Sequence, residues 1–232
     1  MCHDLFRGSL KVPSFDTIAV CARFQPPQRP HLEAVEWSLS QTRRVIVVCF
    51  GSNESRSLSN PWSNGEREAM IRAGLGPDAT VEFVMLEDRR YDPAGWSRRA
   101  ASIVGERAGV AKEVYVVADR SPGFDRLPLP ITWTVIEYDC AFADDESAFR
   151  EHLFWRGDDG AFEGLLSLLP IALARNLHGY ARSEACRGLR EEATFISAFR
   201  QNWVGVPYPP VFVTVDILVV WRAEVLLIQR GR

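Results

Sequence analysis

The segment Ala22-Arg23-Phe24-Gln25-Pro26-Pro27-Gln28-Arg29-Pro30-His31 sets arginine, glutamine and histidine side chains among prolines. It lies between a short β-branched run, TIAVCA at 17–22, and residues Leu32, Val35 and Leu39, which recur at helical spacing. A strand-to-helix turn there presents backbone amides and a helix N-terminus, a combination that suits a phosphate-sized anion. Of the chain's 27 basic side chains, only Lys11 and Lys112 are lysine. A phosphate held here is therefore held by arginine, histidine or backbone amides.

Such a turn needs a rigid frame, and the remaining pattern supplies one. Residues 44–51 (RVIVVCFG) form a continuous apolar run typical of a strand buried on both faces. Ser63-Asn64-Gly65-Glu66 has capping-box spacing, and Met70, Ile71 and Leu75 extend a helix from it. Strands are predicted over 80–86, 113–118 and 131–138, and a helix over 94–109 with Trp96, Ala100, Ile103 and Val104 on one side. Strands alternating with helices predict an α/β fold, a Rossmann-like doubly wound parallel sheet with 17–22 at its centre. Ligands of such sheets bind at the carboxyl ends of the strands. Beyond residue 143 helical patterns dominate to about Trp203. GVPYPP at 205–210 then reads as a stiff linker, and VFVTVDILVVW with VLLIQRGR as a β-hairpin. A terminal hairpin cannot bury both of its faces alone, so it is expected to be the start of a further domain, unpartnered or paired with another chain.

Bulk properties exclude several classes. With 232 residues, 47% of them hydrophobic, the chain can build a substantial core. A formal net charge of -3 gives no basic excess for nucleic acid. No apolar run approaches a membrane span. Cys2, Cys21, Cys49, Cys140 and Cys186 form no CxxC pair, and no histidine stands at metal spacing, so no structural metal site is predicted. The odd, scattered cysteines and the lack of a signal peptide suit a soluble cytoplasmic protein.

Five motifs in order resemble the nicotinamide mononucleotide (NMN) adenylyltransferases. Residues 22–31 are similar to that family's GRFQPxHxGH stretch, and Gly51-Ser52 ends the second strand as in the family. Asn60-Pro61-Trp62-Ser63 with Glu66, Arg67, Met70 and Ile71 resembles NPW/F-S-x-x-E-R-x-x-M-I. Asp88, Tyr91 and Trp96 match a D-x-x-Y-x-x-x-x-W spacing, and Ser147-Ala148-Phe149-Arg150 the end of I-S-x-T-x-I-R. The stretch from Tyr208 to the end resembles the linker and first strands of a Nudix domain, an order seen in bifunctional adenylyltransferase–Nudix proteins. The resemblance implies an extension at 1–15, a nucleotidyltransferase domain at 16–183, a linker helix at 184–207 and the beginning of a Nudix domain at 208–232.

It also implies roles. His31 and Arg150 would serve catalysis. Arg23, Phe24, Gln25, Gln28, Gly51, Ser52, Arg67 and Ser147 would bind nucleotide or phosphate, and Asp88, Tyr91 and Trp96 would bind NMN. The reaction implied joins ATP, carried with Mg²⁺, and NMN to give NAD and pyrophosphate. The NMN phosphate attacks the α-phosphorus, and the protein positions the groups and stabilises charge. ATP and NMN or NAD are the expected partners, with neither nucleic acid nor membrane, and a homo-oligomer is left open. Residue by residue, plainer readings stand beside these: His31 as a first-turn helix residue, Arg67 as a solvated helix arginine, Trp62 and Trp96 as core aromatics, and Asp88 as a turn residue.

The sequence also departs from the family pattern. The first motif histidine is Gln28, which cannot carry charge, and the motif glycine is Pro30, which adds a ring and removes an N–H. Residues 118–123 (ADRSPG) carry no lysine where the family shows a G-x-x-K-D-like stretch, and Asp145 and Glu146 bring acid toward the expected triphosphate. Turnover is expected to be weak or impaired. The alternative is a catalytically inactive nucleotide-binding or scaffold domain of a Nudix hydrolase of the ADP-ribose pyrophosphatase type.

Overall fold

The computed structural model describes residues 15–89, 91–109, 114–118, 129–136, 143–157, 159–206, 219–222 and 224–226. Five strands form one fully parallel sheet: β1 (Thr17–Ala22), β2 (Val45–Phe50), β3 (Glu82–Leu86), β4 (Val114–Ala118) and β5 (Trp133–Ile136). Their spatial order is β3-β2-β1-β4-β5, so β1 is central, as the alternating pattern predicts. The order reverses between β1 and β4, where ligands of doubly wound sheets bind. The fifth strand starts later than its apolar run, with Ile131 fully exposed in a turn ahead of it, and residues 137–138 of the predicted strand lie outside the described residues.

The continuous apolar strands make sense once both faces are covered. Ile18, Val20 and Ala22 of β1, with Val45, Val47 and Cys49 of β2, belong to one core cluster, while Ala19, Cys21, Ile46, Val48 and Phe50 belong to a second. Alternation along an extended chain sends successive side chains to opposite faces. The first face packs on α1 (Arg29–Gln41), α2 (Asn64–Leu75) and residues of the later helices. The second packs on α3 (Pro93–Ala108) through Trp96, Ala100 and Val104. The predicted capping box is present: Ser63 accepts from the Glu66 amide, and the Glu66 carboxylate accepts from the Ser63 amide at 2.8 Å.

The helical region comprises α4 (Ala143–Arg150), a π-helical continuation over Glu151–Arg156, α5 (Asp159–Ser167), α6 (Ile171–Ala181) and α7 (Glu184–Gln201). Two compact units are separated between Thr194 and Phe195, within α7. In the second unit β6 (Val220–Trp221) pairs antiparallel with β7 (Glu224–Val225). Arg222, between the two strands, adopts a φ of 48°. The outer parts of the predicted hairpin, residues 1–14 of the extension at 1–15, and the segment 119–123 lie outside the described residues.

Candidate functional site

The loop from Arg23 to Gln28 leaves the carboxyl end of β1 and enters α1. Phe24 turns it with a φ of 53°, a conformation that costs a non-glycine residue about 1–3 kcal/mol. Its fully buried ring, packed on the His31 ring at a centroid distance of 4.9 Å, holds it there. Pro30 sits in the first turn of α1, where its preset φ helps and its missing N–H would have no intrahelical partner.

Gln25 is the junction of three segments. Its side chain binds the Trp62 backbone twice, donating from Nε2 to the carbonyl at 3.0 Å and accepting at Oε1 from the amide at 3.0 Å. Its own amide donates to Glu146 Oε1 at 3.0 Å, and its carbonyl accepts from Arg150 Nη1. The N–H and C=O of one backbone residue satisfy both ends of this buried side-chain amide. The first motif, the NPWS stretch and α4 are thereby tied together. Arg150 also donates to the Ser147 hydroxyl at 3.3 Å.

His31 is fully buried, and its Nδ1 accepts from the Gln28 amide at 3.0 Å. That bond places the proton of the neutral ring on Nε2, which lies 3.7 Å from Glu146 Oε1. Burial drives the imidazole pKa down to about 3. The neutral ring can donate a hydrogen bond from Nε2 but brings no positive charge. The folded pKa lies below the ordinary 6.5, so the unfolded chain binds the extra proton between these values. Stability from His31 is thus complete above pH 6.5 and falls as the pH drops toward 3. At pH 5 the loss is about 2 kcal/mol. His31→Asn should flatten the urea-unfolding free energy between pH 7 and pH 5; an equally steep slope in the variant would assign the loss to other groups.

A second cluster stands at the ends of β2 and β3. Arg23 Nη2 binds Asp88 Oδ2 at 2.6 Å, and Arg23 Nη1 binds Asn60 Oδ1 at 3.3 Å. The Gly51 amide donates to Asp88 Oδ1 at 3.1 Å, and the Ser52 amide to the Leu86 carbonyl at 3.1 Å. Gly51 has a φ of 66°, and a Cβ there would stand 2.7 Å from Arg23 Nη1, so both conformation and space call for glycine.

Several expected ligand-binding residues have structural commitments. Arg67 is fully buried, with Nη1 on the Phe50 carbonyl at 2.6 Å and the Arg23 carbonyl at 2.8 Å, and Nη2 on Asn64 Oδ1 at 2.6 Å. It clamps the carboxyl ends of β1 and β2 beneath the site. Trp96 is buried edge-on against Phe50 at 5.4 Å, whereas Tyr91 is 98% exposed. Asp88 serves Arg23 and Gly51 before any ligand. Gln28 is buried, and its Nε2 has no hydrogen-bond partner among the described residues. The role of Gln25 as a junction and the Arg23–Asn60 contact join residues 37 apart, a distance that local spacing does not reveal. No group of three His, Cys, Asp or Glu residues able to hold a metal occurs among the described residues. Nor is any described helix long and apolar enough to cross a membrane.

No protein-family profile matches the chain. Among individual proteins, it is 38% identical over 119 residues to "Nicotinamide-nucleotide adenylyltransferase 1" of Sulfolobus acidocaldarius, covering 45% of this chain and 67% of the relative. It is 28% identical over 128 residues to the "Nicotinamide/nicotinic acid mononucleotide adenylyltransferase" of Acinetobacter baylyi, covering 53% of this chain and 66% of that protein. The fold resembles that of a bifunctional NMN adenylyltransferase/ADP ribose pyrophosphatase from Francisella tularensis, solved with AMP and a Mn ion. That likeness has a TM-score of 0.73 at 22% identity, over 89% of this chain and 61% of the other. About a third or more of each relative thus lies outside the match.

Proposed function

Because the chain belongs to the nicotinamide-nucleotide adenylyltransferase family, we propose that its site binds mononucleotides of the NMN and ATP type and transfers adenylyl groups at a rate far below that of an intact site. The observation that carries this reading is the joining of the first loop to the NPWS stretch and to α4 at Gln25, through Trp62, Glu146 and Arg150, at the carboxyl edge of β1. This arrangement surrounds the first loop with backbone amides, the His31 Nε2–H and the Arg150 guanidinium, the donor types that a phosphate needs. Mg²⁺ would arrive as part of the ATP substrate, held by phosphate oxygens and water.

In the reaction proposed, Arg150 and His31 orient the ATP phosphates, while the Arg23–Asp88 cluster holds the ends of β2 and β3 beside them. A second reading, a nucleotide-binding domain without turnover, is favoured by the Glu146 carboxylate on the Gln25 amide. In either case the partners are small nucleotides, and residues 208–232 would belong to a Nudix domain. The buried free thiols Cys21, Cys49 and Cys186 suit a reducing compartment such as the cytoplasm.

A coupled assay of NAD formation from NMN and Mg-ATP, with calorimetric titration of each nucleotide, tests the proposal. Measurable NMN binding with turnover at least 10²-fold below an unaltered adenylyltransferase is expected, by analogy with the loss of one preorganised donor. Turnover equal to that of the intact enzyme, or no binding of either nucleotide, would overturn it.

A further inference from the structure

Helix α1 has no acidic residue in its own first turn. The carboxylate beside its N-terminal loop comes instead from α4, some 120 residues later in the chain. Glu146 is buried, its side chain 11% exposed. One oxygen accepts from the Gln25 amide at 3.0 Å and lies 3.7 Å from His31 Nε2; the other lies 3.5 Å from Arg150 Nη1. A loop amide, an imidazole N–H and a guanidinium converging on one anion are the donors that would hold a phosphate there.

We propose that Glu146 is the specificity-determining residue of this site: its carboxylate occupies the phosphate seat of the first loop, so the site selects nucleotides that place no phosphate against Gln25 over those that carry a polyphosphate there. This rests on the nucleotide-binding reading above and names which part of a nucleotide the site refuses. The physical reason is twofold. A phosphate entering the seat meets a like charge at a few ångströms in a poorly solvated place, and it must displace an acceptor that already satisfies the Gln25 amide. Leaving the seat is costly for Glu146 as well, because its partners stay buried behind it. The cluster around Arg23 and Asp88 lies on separate partners and keeps its own contacts. Polyphosphate affinity should therefore respond to residue 146 while NMN affinity does not.

The test measures binding of ATP, inorganic pyrophosphate and NMN to wild type, Glu146→Gln and Glu146→Ser by calorimetry, with unfolding midpoints recorded for all three. Glu146→Gln is isosteric and keeps an acceptor for the Gln25 amide, so it should fold even if Glu146→Ser does not. The expected result is at least a 10-fold tightening of ATP and pyrophosphate in Glu146→Gln, more in Glu146→Ser, with NMN changed by less than about 2-fold. NMN and ATP binding that is measurable but the same in all folded variants overturns the proposal and leaves the nucleotide-binding reading standing. No binding of any nucleotide by any variant overturns that reading, and the proposal with it.

Discussion

In a Glu146→Ser background, replacing Gln28 by histidine and Pro30 by glycine should raise NAD formation about 10²–10³-fold, the range in which one preorganised donor acts in comparable sites. His31 stays neutral, so the site lacks the charged imidazole donor that a transferring phosphate favours. Gln28 is buried, with an amide nitrogen that finds no partner among the described residues. Histidine is close to glutamine in size, and a bound phosphate would draw it into the charged form. Pro30 limits how closely a ligand can approach the first turn of α1, and glycine removes the ring and restores an N–H. The exchange should cost about 1 kcal/mol of stability, because proline restricts the unfolded chain. The same coupled assay reads the effect as kcat/KM for ATP. In the wild-type background the gain should be smaller, since Glu146 still occupies the seat. If the triple variant is no faster than Glu146→Ser, the altered first motif does not limit the rate.

Arg67→Ala should destabilise the fold by about 3–5 kcal/mol, since it strips a buried guanidinium from two strand-end carbonyls and an asparagine and leaves a cavity. A surface arginine of the same motif would lose less than about 0.5 kcal/mol. Urea unfolding separates the two directly. A small stability change together with a large loss of ATP affinity would return Arg67 to the ligand-binding set.

Much of the frame was legible in the sequence because its signals are local. The apolar runs at 17–22 and 44–51, the capping box from Ser63 to Glu66 and the periodicity of 94–109 each report a burial pattern within one element, and the observed strands and helices follow them closely. Alternation of strand and helix then constrained the sheet to be parallel, because right-handed crossovers leave few other arrangements. The strand beginning near 131 started later, since exposure of Ile131 depends on what packs over it and not on its apolarity.

The site was legible as a set of residue types but not as a set of roles. By itself the sequence determined that a donor-rich loop would lie between β1 and α1, that Gln28 and Pro30 would stand in it, and that an acid would stand in the later helix. The tertiary structure decided what each group does. It turned Arg67 inward onto carbonyls, placed Trp96 edge-on in the core, spent the Gln25 side chain on the Trp62 backbone, and set the Glu146 carboxylate on the Gln25 amide. These outcomes depend on contacts between residues 17 to 121 positions apart. Burial and hydrogen-bond partners at that range come from the packing of whole elements, which no local spacing encodes.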